Sequence, residues 1–312
     1  MYDKNTFITL FQSVEYVKDY LYHKYKAEDF SNPVELAYQN GFSFVYYIKM
    51  GDNFFKQGKE APVSIKPMLY FYGLSHWLKG LILTLDPHYP STTQVLAHGV
   101  STRKRKKQSY RFLSDEVKVQ KHGFFPFVSK TVFNLNQLSG EKYKMRHLLM
   151  SIPEMNSLFQ ELEKETPLLP VSKEDNTLVV SSLLLKKLHL TEETFESMIL
   201  SKTGVELSCI LNEDLLIKVN NDDMENIPIY SAMDQSLFIP SVLPLYSKLP
   251  EIFAHFLLLY NLSMICRYET EWWGEVLYSF TSNDKPFIEF FLQITEEKTP
   301  WLLQRMFFSE KY

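Results

Sequence analysis

Cysteine is nearly absent: the 312-residue chain has two, Cys209 and Cys266. Two cysteines build neither a disulfide framework nor a cysteine-rich zinc site. Both stand in apolar surroundings, which reads as buried thiols rather than nucleophiles. Glycine is scarce as well, with ten residues, which argues against an architecture of Gly-rich phosphate loops. The Gly-rich nucleotide fingerprint, the P-loop and the Gly-x-Ser-x-Gly elbow are all missing. Histidines are scattered, with no His-x-x-x-His, Glu-x-x-His or Cys-x-x-Cys pair, and Lys121-His122 and Arg146-His147 set cations beside theirs, which disfavours ligation. No catalytic residue, metal ligand or cofactor is therefore assigned. Long apolar runs are missing too. The longest uncharged one, 252–266, has 15 residues, short of the roughly 20 a bilayer span needs. The opening Met1-Tyr2-Asp3-Lys4-Asn5 has no charged n-region leading into an apolar h-region. A cytoplasmic, non-membrane protein is expected.

What is present is a large core. Apolar residues make up 45% of the chain, with 24 Phe and 19 Tyr, and charged residues 22%, a balance that excludes disorder. Charge is uneven. The net value is −4, yet residues 98–122 hold eight Lys/Arg against Asp115 and Glu116, a window of +6 that leaves −10 for the rest. A local basic patch on an acidic protein favours a confined anion contact over a general nucleic-acid coat.

Apolar spacing predicts an amphipathic helix over 6–25 through Phe7, Leu10, Phe11, Val14, Val17 and Leu21. A second follows the Asn32-Pro33 start and ends near Gly51 or Gly58. The third, about 67–85, has Lys79 as its only charge, and a helix apolar nearly all round is a central one. Segment 91–107 reads as loop or short helix, 116–121 as a short strand, and 142–164 as helix broken at Pro153. After Pro167 the character changes: 177–181 is β-rich, Thr191 caps a short helix, and alternation over 205–211 and 215–219 around Asn212-Glu213-Asp214 predicts a hairpin. Helices return from Pro250, from Asp284 through Ile294, and from Thr299-Pro300 over 301–307. The fold class is mainly α: a helical core from both chain halves with a small α+β insertion. The expected divisions are 1–167 with the basic loop, 168–240 as the insertion, and 241–312 as C-terminal helices packing on the first region.

Tyr72, His76 and Lys79 fall at i, i+4 and i+7, on one stripe of the central helix. Such groups are either satisfied core residues or a pocket wall. As a wall, His76 and Lys79 would hold a phosphate or carboxylate with help from Arg103 or Arg105. His98, before a turn-forming Gly99, is a further ligand-contact candidate. Arg103, Lys104, Arg105, Lys106 and Lys107, with Arg111, are candidates for contact with a partner or a nucleic-acid backbone, or form a solvated loop. Tyr110 and Phe112 behind them are candidates for base stacking. His255 and Asn261 are expected to face helix partners. Arg267 reads as a helix-end cation, and Trp272-Trp273 as an anchor between elements.

The stretch Lys66-Pro67-Met68-Leu69-Tyr70-Phe71-Tyr72-Gly73-Leu74-Ser75-His76-Trp77-Leu78-Lys79-Gly80, then Ala97-His98-Gly99, resembles the YaaC-like family of Bacillus and its relatives. So does the run from Phe256 to Cys266, with Arg267-Tyr268 and Trp272-Trp273. The resemblance covers the chain by length and order of elements, and its motifs are structural. It implies a gene neighbourhood with IMP dehydrogenase, hence a link to guanine nucleotide synthesis and IMP dehydrogenase as a protein partner. The central helix followed by His-Gly is also similar to HEPN-type helical domains, several of which are ribonucleases with an Arg four to six residues before a His. None of Arg103, Arg105, Arg111, Arg146, Arg267 or Arg305 has that spacing, so no catalytic residue carries over. The expected function is a non-enzymatic interaction or regulatory protein, with a HEPN-like nucleic-acid binder using the basic loop as the alternative.

Overall fold

Ser13 divides what the spacing predicts as one helix over 6–25. Its backbone is extended, and its hydroxyl accepts a hydrogen bond from the Tyr16 N–H at 3.3 Å. That N-cap ends α1 (Thr6–Leu10) and starts α2 (Val14–Ala27), because a capping side chain satisfies one of the orphan donors of a new first turn. The computed structural model describes residues 6–102, 110–136, 138–203, 207–211, 214–218, 227–247, 249–279 and 282–308, with the backbone alone at 202–203, 207–211 and 218. It contains two units, Met1–Met145 with His255–Tyr312, and Arg146–Ala254.

In the first unit α3 (Pro33–Glu60) runs past Gly51 and ends just after Gly58, the later of the two expected ends. The glycines serve close approach to α4 (Lys66–Leu83). A Cβ on Gly51 would lie 2.3 Å from the Trp77 ring, and one on Gly58 would lie 2.4 Å from the Tyr70 ring. Trp77 is fully buried there, stacked on Phe55 at 4.2 Å, and donates its indole N–H to the Ile48 carbonyl at 3.1 Å. Past α4 come β1 (Val100–Ser101), β2 (Glu116–Val119), α5 (Phe124–Phe133) and β3 (Lys142–Lys144), the strands forming one antiparallel sheet in that order. Residues 142–144, expected to open a helix, therefore pair with β2, Tyr143 opposite Val117. The helix α6 begins only at Met145 (Met145–Met150).

The second unit carries α7 (Asn156–Glu163), β4 (Leu168–Glu174), β5 (Thr177–Ser181), α8 (Leu183–Leu188), α9 (Glu192–Thr203), β6 (Leu207–Leu211), β7 (Asp214–Lys218), β8 (Tyr230–Ser231) and β9 (Leu237–Pro240). Its sheet is antiparallel in the order β6-β7-β5-β4-β9-β8. The hairpin of β6 and β7 has Ile210 opposite Leu215, and Asp214 joins the strand. Alternation turns Leu178, Val180, Leu215 and Ile217 inward, where they meet Leu184, Leu188, Phe195 and Ile199 of the two helices. Thr191 accepts from the Thr194 N–H at 3.3 Å, the cap its position predicts.

The first unit is completed by α10 (Glu251–Tyr268) from His255 onward, α11 (Thr270–Tyr278) and α12 (Asp284–Phe308). The two apolar helices meet: Phe71 of α4 lies 5.2 Å from Phe256 and 5.6 Å from Tyr260 of α10. The break expected at Thr299-Pro300 does not occur, and α12 is continuous with Pro300 inside it. A proline there removes one backbone hydrogen bond. Burial on both sides of it, from Phe291, Leu292 and Ile294 to Leu303 and Phe307, keeps the two segments on one axis. The molecule is thus mainly α, with two small antiparallel sheets.

Candidate functional site

From Tyr70 to Leu83 every residue of α4 is buried except Tyr72, His76 and Lys79, which are half-buried. Their spacing puts them on the one stripe that the packing leaves open. Residues of α3 line one side. Phe54 stacks nearly parallel on His76 at 5.7 Å and lies 5.9 Å from Tyr72. Tyr47 sits 6.1 Å from His76, and the Lys79 ammonium stands 5.9 Å over the Tyr47 ring. On the other side is Arg267, in the last turn of α10. Its Nη1 donates to the Tyr72 hydroxyl at 3.1 Å and its Nε to the Ser263 carbonyl at 2.9 Å, with the guanidinium 5.8 Å from the Tyr72 ring.

His98 reaches the same place through a backbone contact. Gly99 has φ +76° and Gly123 φ +125°, and a Cβ on Gly123 would lie 2.3 Å from the Gly99 Cα. Only glycines allow that approach in those conformations. It lets the first N–H groups of α5 hold the loop: Phe124 donates to Ala97 at 2.6 Å and Phe125 to His98 at 3.0 Å. The His98 ring then lies 5.1 Å from Phe71 and 5.7 Å from Tyr260. The Tyr260 hydroxyl, bonded to the Val100 carbonyl at 2.9 Å, fixes α10 against the same loop.

The electrostatics follow from burial. Desolvation, helped by the Lys79 charge, pushes His76 down to about 4. Desolvation lowers Lys79 as well. His98 is lowered by desolvation first and then by the charges of Arg267 and Lys79. Burial thus drives both imidazoles toward the neutral form and weakens the charged form of Lys79. Neither cation has a carboxylate within ion-pair distance among the described residues, and His76 Nδ1 is buried without a hydrogen-bond partner. The far side of α4 is the opposite case. There Tyr70 donates to Glu296 at 2.6 Å, and Lys59 and Lys66 lie 3.3 and 3.7 Å from the same carboxylate.

Tyr72, His76 and Lys79 thus share one stripe of α4, and the His98 ring lies against Phe71 of the same helix. Arg103, Lys104, Arg105, Lys106 and Lys107 lie outside the described residues, and Arg111 is exposed on the surface. The base-stacking expectation for the next two aromatics is overturned. Phe112 is fully buried, its N–H bonded to Asp284 at 3.0 Å. Tyr110 donates to Asp115 and packs edge-on against Trp272 at 4.4 Å. Asn261 also donates to Asp115, at 2.9 Å, and His255 meets Thr295 at 2.9 Å, both in α10 against partner elements. Cys266 is half-buried rather than buried, its thiol pushed up to about 11 by desolvation; the Cys209 side chain lies outside the described ones. Sequence reasoning missed Arg267, taken only as a helix-end cation, and Tyr47 and Phe54. The available signal was Arg267 itself, the first charge after 15 uncharged residues.

The model of the YaaC-like protein family matches residues 9–307. The chain belongs to the YaaC-like family. No curated protein matches it, and no solved structure matches it. The match spans α4, the His98 loop and α10, so the cation cluster lies wholly within the region that defines membership. Among the described residues no three His, Cys, Asp or Glu converge as a metal site, and no helix is long and apolar enough to cross a membrane.

Proposed function

We propose that this chain is a non-enzymatic regulatory protein that recognises a phosphorylated, ring-bearing anion of the purine nucleotide class. The observation that carries the reading is a pair of half-buried cations, Lys79 and Arg267, held beside Tyr47, Phe54 and Tyr72 with no carboxylate at ion-pair distance among the described residues. A desolvated cation without a counter-ion is costly unless a ligand supplies the charge. Arg267 spends three of its donors on Tyr72, Ser263 and Met264, and a guanidinium has five. The remaining donors and the Lys79 ammonium suit a phosphate. The flanking aromatic faces suit a planar base.

The test is calorimetric titration of the full chain with GMP, XMP, IMP and GTP, beside inorganic phosphate and a short RNA. A purine nucleotide should bind, and Lys79→Met with Arg267→Met should abolish binding while the protein stays folded. Binding of RNA alone, or of no nucleotide, would overturn the reading. The proposed protein partner is IMP dehydrogenase, supported by the family resemblance rather than by a surface. Co-sedimentation of the two proteins with and without the bound nucleotide tests it, and absence of a complex in both conditions removes the partner without touching the nucleotide site.

A further inference from the structure

The exposed face of α3 carries large apolar side chains at strict four-residue spacing. Val34, Tyr38, Phe42, Tyr46 and Met50 are 57%, 61%, 52%, 60% and 42% exposed. At 1.5 Å per residue the row is about 24 Å long. Isolated exposed apolar residues need no explanation, but a contiguous row on one helix marks a contact surface. Among the described residues the stem of Lys18 lies against it, its ammonium 4.4 Å from the Tyr38 ring and 5.9 Å from that of Phe42.

The charges on the same face say what covers it. Glu35 and Lys49 are both exposed, and each stands seven residues from Phe42. Seven residues are almost two turns, so both lie nearly in line with Phe42 on the presented face. Consider a second copy of α3 laid antiparallel across the first, with the two-fold axis at Phe42. Each residue then meets the one equally far on the other side of Phe42. Tyr38 faces Tyr46, Val34 faces Met50, and Glu35 faces Lys49, and every pairing occurs twice. Self-complementarity of this kind is what an isologous interface demands. A parallel or displaced pairing would set the rings against other residues and lose both ion pairs.

We propose that the exposed face of α3 is the interface of a two-fold homodimer, seamed by Tyr38, Phe42 and Tyr46 and registered by reciprocal Glu35–Lys49 pairs. The proposal is independent of the nucleotide site, since none of these residues belongs to it. The experiment is sedimentation equilibrium of the full chain from about 1 to about 100 µM, with circular dichroism to confirm helicity. The wild type should sediment at twice the 36.8 kDa monomer mass. Phe42→Glu should weaken association more than about tenfold, since a charge replaces a central aromatic contact. Glu35→Lys and Lys49→Glu should each weaken it by setting like charges face to face, and the double exchange should restore it. A wild-type monomer across the range, or a dimer indifferent to Phe42→Glu, would overturn the interface, leaving the row to another protein or a lipid surface. A double exchange that fails to restore association would overturn the antiparallel register.

Discussion

Two arginines, one in each unit, are held in opposite ways. Arg146 of the second unit lies 3.2 Å from Glu163 and 2.8 Å from Glu165, with its guanidinium 5.4 Å from the Phe159 ring. Arg267 of the first unit lies against Tyr72 and Tyr268 and bonds a hydroxyl, a carbonyl and a thioether, with no carboxylate at ion-pair distance among the described residues. Both are half-buried. The first has its charge cancelled by the fold, and the second keeps it available. A cation that the fold neutralises contributes to stability. One that the fold desolvates without neutralising costs stability and marks a place where an anion completes the arrangement.

The same contrast runs across α4. Its buried face is interlocked with α3 through Trp77, and its half-open stripe presents His76 and Lys79. The largest expected effect belongs to the interlocked face. Trp77→Ala removes a fully buried indole, its stacking on Phe55 and its bond to Ile48, and should cost about 3–5 kcal/mol. Chemical denaturation would show it, and a loss under about 1 kcal/mol would mean that the α3–α4 interlock is not where stability resides. Arg146→Ala comes next. It leaves two carboxylates without their partner and should cost about 1.5–3 kcal/mol, the range of hydrogen bonds to charged groups. A neutral result would erase the distinction between the two arginines.

How much of this was readable beforehand depends on the range of the interaction concerned. The central helix was legible because its apolar character lies in the residues themselves, and its polar stripe because Tyr72, His76 and Lys79 obey the helical period. Thr191 announced its helix by local capping chemistry. The hairpin of β6 and β7 was legible from alternation. The strand at 142–144 was not, since three residues of Lys-Tyr-Lys become a strand only by pairing with β2. Continuity through Pro300 was hidden for the same reason: burial on either side of it outweighs a local breaker. The site divided likewise. Three of its residues lie on one helix, but Arg267 joins them from 188 positions beyond Lys79, and no spacing rule reaches that far.

If the cations of the site are kept for a ligand, removing them should not harm the apoprotein. Lys79→Met replaces a desolvated ammonium that has no carboxylate partner among the described residues with an apolar chain of similar length. The expected change in stability is neutral to favourable, within about 1 kcal/mol. The same substitution should weaken nucleotide binding about tenfold or more, by loss of a charge-assisted contact. Melting curves with and without nucleotide separate the two effects. A Lys79→Met protein that is markedly less stable without ligand would assign Lys79 to the fold and not to the site.

The smallest effect is a slope with pH, and it distinguishes the neutral imidazoles from the fixed cations. His76 has a folded pKa near 4, below the roughly 6.5 of an unfolded histidine, and His98 is lowered in the same direction. Between those values the unfolded chain binds protons that the folded one refuses. The contribution of His76 to stability is therefore complete above about 6.5 and declines as pH falls toward 4, and His98 acts in the same direction. An anion beside Lys79 and Arg267 reverses the preference, because it favours the protonated ring. Nucleotide binding should then take up a proton and tighten as pH drops from 7 to 5. Calorimetry in two buffers of different ionisation enthalpy measures that uptake directly. His76→Phe should reduce both the acid loss of stability and the proton uptake, leaving a remainder from His98. Unchanged uptake in His76→Phe would place the ligand elsewhere on the cation pair, away from the imidazole that Phe54 covers.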